Sequence, residues 1–289
     1  MWLYTTGSDA LTPIVLYDYQ PSRKGSCAQN FLEGFRGLVQ CDGYQGYNKL
    51  EDVILVCCLA HARRKFFEAV PAARRKRLKL LDINSDEAIE DINLPDEEEA
   101  KQLLPAEIGL LYCNKLFYLE RTLKDLNPEE RKQQRDVLEQ PVWDQFWNWL
   151  DTLHPTGGSK LGKAVDYAQN HHDTLMDYLL DGRCEISINR AERKAKSYAI
   201  GRKAFLFHTS ETGAGASAVM YSIVETAKAN NLNIFQYLYT VLLYMPDYMN
   251  SSAGIEQLMP WSEFIKEQCS GLIDVESNVP EKRIPLPHR

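Results

Sequence analysis

The sequence predicts an α/β fold interrupted by a long helical insertion. Three observations predict it. Short runs of aromatic and β-branched residues dominate the stretch up to Cys58. From about Pro71 to Leu180 the apolar spacing becomes almost wholly helical. A strand-like run, Cys184–Ile188, then leads into a basic helix, as though the chain returns to the part it left.

The elements follow in order. Trp2–Thr6 and Ile14–Tyr19 are short runs separated by Gly7-Ser8-Asp9 and Pro13, which reads as a hairpin. Ala28–Phe35 has helical spacing at Phe31, Leu32 and Phe35. Gly37–Cys41 is a short apolar strand ending at Asp42-Gly43, and Tyr44–Leu50 a short helix. Val53–Cys58 is the most apolar strand and reads as buried on both faces. A basic helix runs from about Ala60 to Val70.

The insertion carries helical patterns over Leu103–Leu126, Pro141–Leu153 and Leu161–Leu180. Beyond it come a helix over Arg190–Ala199 ended by Gly201, an apolar run Ala204–Phe207, and helices over Ala214–Asn230 and Ile234–Tyr244. The segment from Ser270 is Pro-rich and charged, a composition that favours disorder.

The totals bound the function. A 289-residue chain with 44% hydrophobic residues can build a real core. It has no apolar run of the ~18–20 residues that a membrane span needs. Its first residues lack the basic and apolar regions of a signal peptide, and its seven cysteines have no framework spacing. These features predict reduced thiols and a cytoplasmic protein.

The net charge of −7 argues against nucleic acid, but its distribution reverses that. Arg63, Arg64, Lys65, Arg74, Arg75, Lys76, Arg77 and Lys79 form one basic run. Arg190, Arg193, Lys194, Lys196, Arg202 and Lys203 form another, while the acid gathers between Asp82 and Glu99.

Two carboxylates stand out by position. Asp42 ends a strand and precedes glycine, where α/β folds present functional side chains; an Asp-Gly turn is the plainer explanation. Glu192 lies on the basic helix with Lys196 at i+4, which reads equally as a surface ion pair. His61 with Cys57 and Cys58 lacks the second ligand pair of a zinc site. Gly213-Ala214-Gly215-Ala216 precedes a helix but completes no phosphate loop. Trp143, Trp147 and Trp149 read as helix packing rather than a base-stacking platform.

Several segments taken together carry a resemblance. Gly37-Leu38-Val39-Gln40-Cys41-Asp42-Gly43-Tyr44-Gln45-Gly46-Tyr47 resembles the second-aspartate segment of the insertion-sequence 66 transposase family. Cys58-Leu59-Ala60-His61-Ala62-Arg63-Arg64-Lys65-Phe66 is similar to its next signature. Asn189-Arg190-Ala191-Glu192-Arg193 with Gly201-Arg202-Lys203-Ala204-Phe205-Leu206-Phe207 resembles its glutamate segment. Tyr221–Lys228 and Leu258-Met259-Pro260-Trp261 are similar to its later elements, all in the family's order.

The resemblance implies an RNase H-like mixed sheet, a large helical insertion before the glutamate helix, and a helical C-terminal part. It implies residues 1–70 and 183–232 as the core, 71–182 as the insertion, 233–269 as a C-terminal element and 270–289 as a tail. It further implies an Asp-Asp-Glu triad holding two Mg²⁺ or Mn²⁺ ions, with Asp42 and Glu192 as catalytic and metal-binding members. DNA would be substrate and partner, in a homo-oligomeric complex. His61, Arg63, Arg64, Lys65, Arg193, Lys196, Arg202 and Lys203 are the expected DNA contacts.

The sequence also departs from that pattern. The family's first aspartate lies in an Asp-Glu-Thr segment upstream of the strand that here begins at Met1, and neither Asp9 nor Asp18 matches it. The resemblance therefore implies a site without its first carboxylate and a sheet without its first strand, as in a truncated transposase inactive by itself. The family's Glu-Ile-Asp-Asn-Asn is here Glu185-Ile186-Ser187-Ile188-Asn189. A DNA-binding remnant without catalysis is the competing expectation.

Overall fold

The computed structural model describes residues 1–75, 91–248 and 253–271. The basic residues from Lys76 to Lys79, the acidic ones from Asp82 to Glu90 and the tail beyond residue 271 lie outside the described residues. The strands are β1 (Trp2–Thr5), β2 (Val15–Asp18), β3 (Gly37–Cys41) and β4 (Val53–Cys57), with helix α1 (Gly25–Phe31) between β2 and β3. Helices α2 (Leu59–Ala69), α3 (Ala72–Arg75), α4 (Glu97–Ala100), α5 (Pro105–Thr122) and α6 (Pro128–Leu138) follow. Then come α7 (Gln140–Asp151), α8 (Lys160–Asn170), α9 (His172–Met176), α10 (Asn189–Phe205), α11 (Glu211–Ala229), α12 (Ile234–Tyr244) and α13 (Glu263–Cys269).

The chain divides into two compact units, which cut across the boundaries expected from sequence. One joins Met1–Ser22 to the residues from Ala191 onward, and the other is Arg23–Arg190. Each unit holds its own two-stranded sheet, so the described strands do not form one hydrogen-bonded mixed sheet.

In the first unit β1 and β2 make the expected hairpin, antiparallel from Trp2↔Asp18 to Thr5↔Val15. The other edge of β2 would expose unpaired main-chain groups, a liability that folds manage explicitly. Here α11 covers it with hydroxyls one turn apart. Thr226 Oγ1 accepts from Val15 N at 3.1 Å and donates to Val15 O at 2.9 Å. Ser222 Oγ accepts from Tyr17 N at 2.8 Å. Asn230 Nδ2 adds a bond to Pro13 O at 2.8 Å. A second core in this unit packs Ala227, Tyr237, Tyr244 and Ile265 from α11, α12 and α13.

Helix α10 corrects a sequence expectation. It does not stop at Gly201 but runs to Phe205, and the chain turns at Leu206, whose φ is 62°. Gly201 serves close packing instead, because an added Cβ would collide with the hydroxyl of Tyr221. The apolar run Ala204–Phe207 is exposed and is not a strand.

In the second unit β3 and β4 pair in parallel, Gly37↔Val53 through Cys41↔Cys57. The expectation that β4 is buried on both faces holds only for its second half. Ile54 is 44% exposed, whereas Val56 and Cys57 are buried. The core gathers around Val56, Cys57, Cys58 and Leu59, and the start of the strand lies outside it. Helices α5, α7 and α8 bury Leu116, Trp143, Phe146 and Val165 in that same core. Trp143 and Trp147 stack at 5.6 Å, so the tryptophans of α7 pack as expected.

The pattern over Leu161–Leu180 resolves into α8, α9 and a 3-10 turn, Asp177–Leu180, with the break at His171. Cys184–Ile188 is not a strand. The Gln40 side-chain amide reads the main chain of Glu185, donating to its O and accepting from its N, in place of a ladder. Leu59 N donates to Ile186 O at 3.1 Å, and Ile188 N donates to Cys58 Sγ at 3.3 Å.

Candidate functional site

Asp42 emerges half-buried from the C-terminal end of β3. Its Oδ1 accepts from Tyr44 N at 3.0 Å, a local turn that fixes the side-chain direction. The next residue, Gly43, has φ 77°, a left-handed conformation that favours glycine. A Cβ there would also lie 2.8 Å from Tyr167 Oη, 2.9 Å from His171 Nε2 and 3.1 Å from Cys57 Sγ. The aspartate turn is therefore packed on all three.

Those three residues belong to no sequence motif. Tyr167 Oη donates to Asp42 O at 3.3 Å and lies 3.5 Å from Cys57 Sγ. His171 Nε2 stands 3.3 Å from Gly43 O, and its Nδ1 2.8 Å from Tyr167 O. Burial pushes the Tyr167 phenol up, with the neighbouring Cys57 adding to the effect, so it stays a donor. Burial likewise pushes the thiol of Cys41 up to about 12, and raises that of Cys57. Both shifts favour the neutral thiol, as burial in apolar surroundings does for a core cysteine.

Glu192 belongs to the first unit, in the first turn of α10. The helix is anchored on one side: Tyr17 Oη donates to Lys194 O at 2.6 Å, and Lys194 Nζ meets Glu225 Oε2 at 3.3 Å. Burial would raise the Glu225 carboxyl, but bonds and charge from Lys228 and Lys194 outweigh it and hold the group low. Tyr198 packs on Tyr221 at 5.2 Å. Lys194, Tyr198 and Gly201 thus mark the face of α10 turned toward α11. At about 100° per residue, Glu192, Lys196 and Lys203 fall on the opposite face.

The expected DNA contacts fall into two groups. Arg193, Lys196, Arg202 and Lys203 are all exposed on α10. On α2, Arg64 is exposed and His61 half-buried. Arg63 Nε donates to Asn114 Oδ1 at 2.6 Å, and Lys65 Nζ sits 4.8 Å from the centre of the Tyr167 ring. Both thus contribute to packing against the insertion.

A second buried network has no signature in the sequence. Arg135, fully buried, donates to both oxygens of Glu120 and to the main-chain oxygens of Tyr178, Asp181 and Cys184. Tyr178 Oη donates to Glu139 Oε2 at 2.5 Å and accepts from Trp143 Nε1 at 3.1 Å. This hub pins the segment that leads from the insertion to Cys184–Ile188.

A strand-end aspartate, a long helical insertion and a basic helix opening on glutamate define an α/β protein with a helical insertion. The chain belongs to the IS66 transposase family: the family's transposase model matches residues 1–216, and its C-terminal element matches residues 222–261. It is similar to two uncharacterised proteins of Sinorhizobium fredii. One, y4hP, is 28% identical over 259 residues, covering 86% of this chain and 44% of the relative. The other, y4jD, is 29% identical over 261 residues, covering 86% and 46%. The chain thus spans less than half the length of these relatives. No solved structure matches it.

Proposed function

We propose that this chain forms part of the catalytic domain of an Asp-Asp-Glu DNA transposase, with Asp42 and Glu192 as two of the carboxylates that hold divalent ions. One observation carries the reading. Asp42 follows directly on β3 and Glu192 lies in the first turn of α10, in the order that the resemblance assigns to the family's second aspartate and its glutamate. The proposal includes an RNase H-like origin for the strands and the glutamate helix.

The donor chemistry fits. Carboxylate oxygens are hard ligands suited to Mg²⁺ or Mn²⁺. The bond from Tyr44 N orients Asp42 as a ligand must be oriented. Among the described residues no group of three or more His, Cys, Asp and Glu is gathered as a metal site. Under this proposal Asp42 and Glu192 are two members of the triad that the family resemblance implies. When bound, two such ions stabilise the attacking and leaving oxygens of phosphodiester cleavage and strand transfer.

The chain's own part is to orient the two carboxylates and to attract DNA. Lys196 and Lys203, on the same face as Glu192, suit backbone phosphates, with Arg193, Arg202, His61, Arg63, Arg64 and Lys65 as further contacts. Transposon ends and target DNA are the proposed substrates, bound by a homo-oligomer in the cytoplasm. No helix among the described residues is long and apolar enough to cross a membrane.

Iron-mediated affinity cleavage tests the site without requiring turnover. Fe²⁺ with ascorbate and peroxide replaces Mg²⁺, and backbone cuts are mapped by mass spectrometry. Cuts beside both Asp42 and Glu192 are expected, both weakened by Asp42→Asn or by Glu192→Gln. Salt-sensitive DNA binding with no such cuts would instead establish the non-catalytic DNA-binding reading.

A further inference from the structure

We propose that Tyr167 and His171, from the helical insertion, are positioning residues for Asp42. This rests on the reading of Asp42 as a metal ligand and assigns the insertion a part in that site. The two side chains meet the two main-chain carbonyls at the aspartate turn: Tyr167 Oη donates to Asp42 O and His171 Nε2 faces Gly43 O, each at 3.3 Å. They sit one helical turn apart at the end of α8, and their rings stack with centroids 4.4 Å apart. His171 Nδ1 also faces a carbonyl, Tyr167 O at 2.8 Å; a neutral imidazole carries one N–H, so the ring donates to one of the two carbonyls and the tautomer sets which.

The packing is close on every side. Gly43 leaves no room for a Cβ against Tyr167, His171 or Cys57. Lys65 lies over the Tyr167 ring at 4.8 Å, and α8 buries Ala164, Val165 and Ala168 in the core it shares with α2. The clasp is thus anchored to the body of the unit rather than to a free loop. A strand-end carboxylate rotates with its own peptide planes. Fixing the carbonyls of residues 42 and 43 fixes those planes, and the Oδ1 bond to Tyr44 N fixes the side chain. Groups that orient a ligand in this way typically change metal affinity by about 10–100-fold when removed.

The experiment uses the full chain and the Fe²⁺ cleavage assay. Tyr167→Phe keeps the ring and removes only the hydroxyl. His171→Ala removes the ring that faces Gly43 O, and His171→Gln sets an amide donor at the place of Nε2. Tyr167→Phe and His171→Ala are expected to weaken Fe²⁺-dependent cuts at residues 41–44 by about tenfold, with the thermal midpoint of Tyr167→Phe close to that of the parent. His171→Gln should recover most of the loss. Hydrogen exchange of the 41–47 segment should rise in Tyr167→Phe and His171→Ala but not in Asp42→Asn.

Cuts undiminished in Tyr167→Phe and His171→Ala, yet abolished by Asp42→Asn, would overturn the inference while leaving the metal reading intact. A parent chain with no cut near Asp42 would overturn the metal reading first, and this inference with it.

Discussion

Arg135 Nε donates to Glu120 Oε1 at 2.6 Å, in an interior where the guanidinium is fully buried and the carboxylate 5% exposed. Arg131 adds a second cation on Glu120. Burial pushes the Glu120 carboxyl up, but the bond and charge of Arg135 and the charge of Arg131 outweigh it and leave it lowered. Breaking such a pair strands the remaining charge, an effect of about 3–5 kcal/mol. Arg135→Met is therefore expected to destabilise the chain by that order in urea unfolding. It also unties three main-chain carbonyls, so proteolysis should begin within residues 178–184. A midpoint within error of the parent would show that the pair holds nothing.

Glu139 sits beside that pair with the opposite tendency. Burial and the neighbouring Glu120 charge raise its carboxyl well above the ordinary range. An acid raised on folding binds its proton more tightly in the folded state. Its contribution is complete below roughly pH 4.3, the usual glutamate value, and is lost as pH rises toward the raised one. Glu120, lowered on folding, works the other way: its contribution is present above roughly pH 4.3 and lost as pH falls through its lowered value. Glu139→Gln should thus gain thermal midpoint over the parent progressively from pH 5 to pH 8. Parallel melting curves across that range would refute the assignment.

Thr226 and Ser222 stand in for a neighbouring strand along β2. Thr226→Val keeps the shape and removes both bonds to Val15, leaving a buried N–H and C=O unsatisfied. The expected loss is about 1–3 kcal/mol, measured by denaturant unfolding. Ser222→Ala should lose less, since the short bond it removes from β2 is that from Tyr17 N at 2.8 Å, while its other 2.8 Å bond goes to Ala218 O within α11 itself. Equal stability for parent and Thr226→Val would mean that the edge is satisfied by other means.

Gly43→Ala combines two faults. It places a side chain at φ 77° and drives its Cβ against Tyr167, His171 and Cys57. Left-handed backbone costs about 1–2 kcal/mol, and overpacking about 1–3 kcal/mol more. A loss of about 2 kcal/mol or more is expected, with faster hydrogen exchange in α8. Gly158→Ala, also at positive φ but with nothing near its Cβ, supplies the comparison and should lose only the backbone part.

Short apolar and β-branched runs make the hairpin and β3 legible, and helical spacing makes α2 and α12 legible, because each helix buries a set of residues of its own. It fails where a single side chain takes the place of an element. Cys184–Ile188 has the composition of a strand, but Gln40 takes the main-chain bonds of Glu185, and Leu59 N and Cys58 Sγ take those of Ile186 and Ile188. Gly201 has the look of a helix stop, but Tyr221 explains it. Asp42 is legible from its place between strand and glycine together with motif order. Tyr167 and His171 are not, because partners at separations of 125 and 128 residues leave no local pattern. Arg135 reads as one more charge on an amphipathic helix, and only the carbonyls of a distant loop reveal it as a hub.

Helix α10 allows a sharper test of DNA attraction than its total charge. Its anchored face carries Lys194, which bonds Glu225 and so has less charge to offer a phosphate. Lys196 and Lys203 lie opposite, within about 40° of Glu192, at about 100° per residue. Arg202 falls about 80° round from Glu192 and closer to the anchored side. If DNA lies along the glutamate face, Lys196→Ala with Lys203→Ala should flatten the salt dependence of binding by about 0.9 for each phosphate that is no longer neutralised. Arg202→Ala should change the slope less, and Lys194→Ala should act mainly on stability. The check is DNA affinity across a salt series by fluorescence anisotropy. Equal slopes for all the variants would show diffuse attraction with no preferred face. A larger effect at Arg202 would move the DNA path away from Glu192 and count against that carboxylate as part of the reacting site.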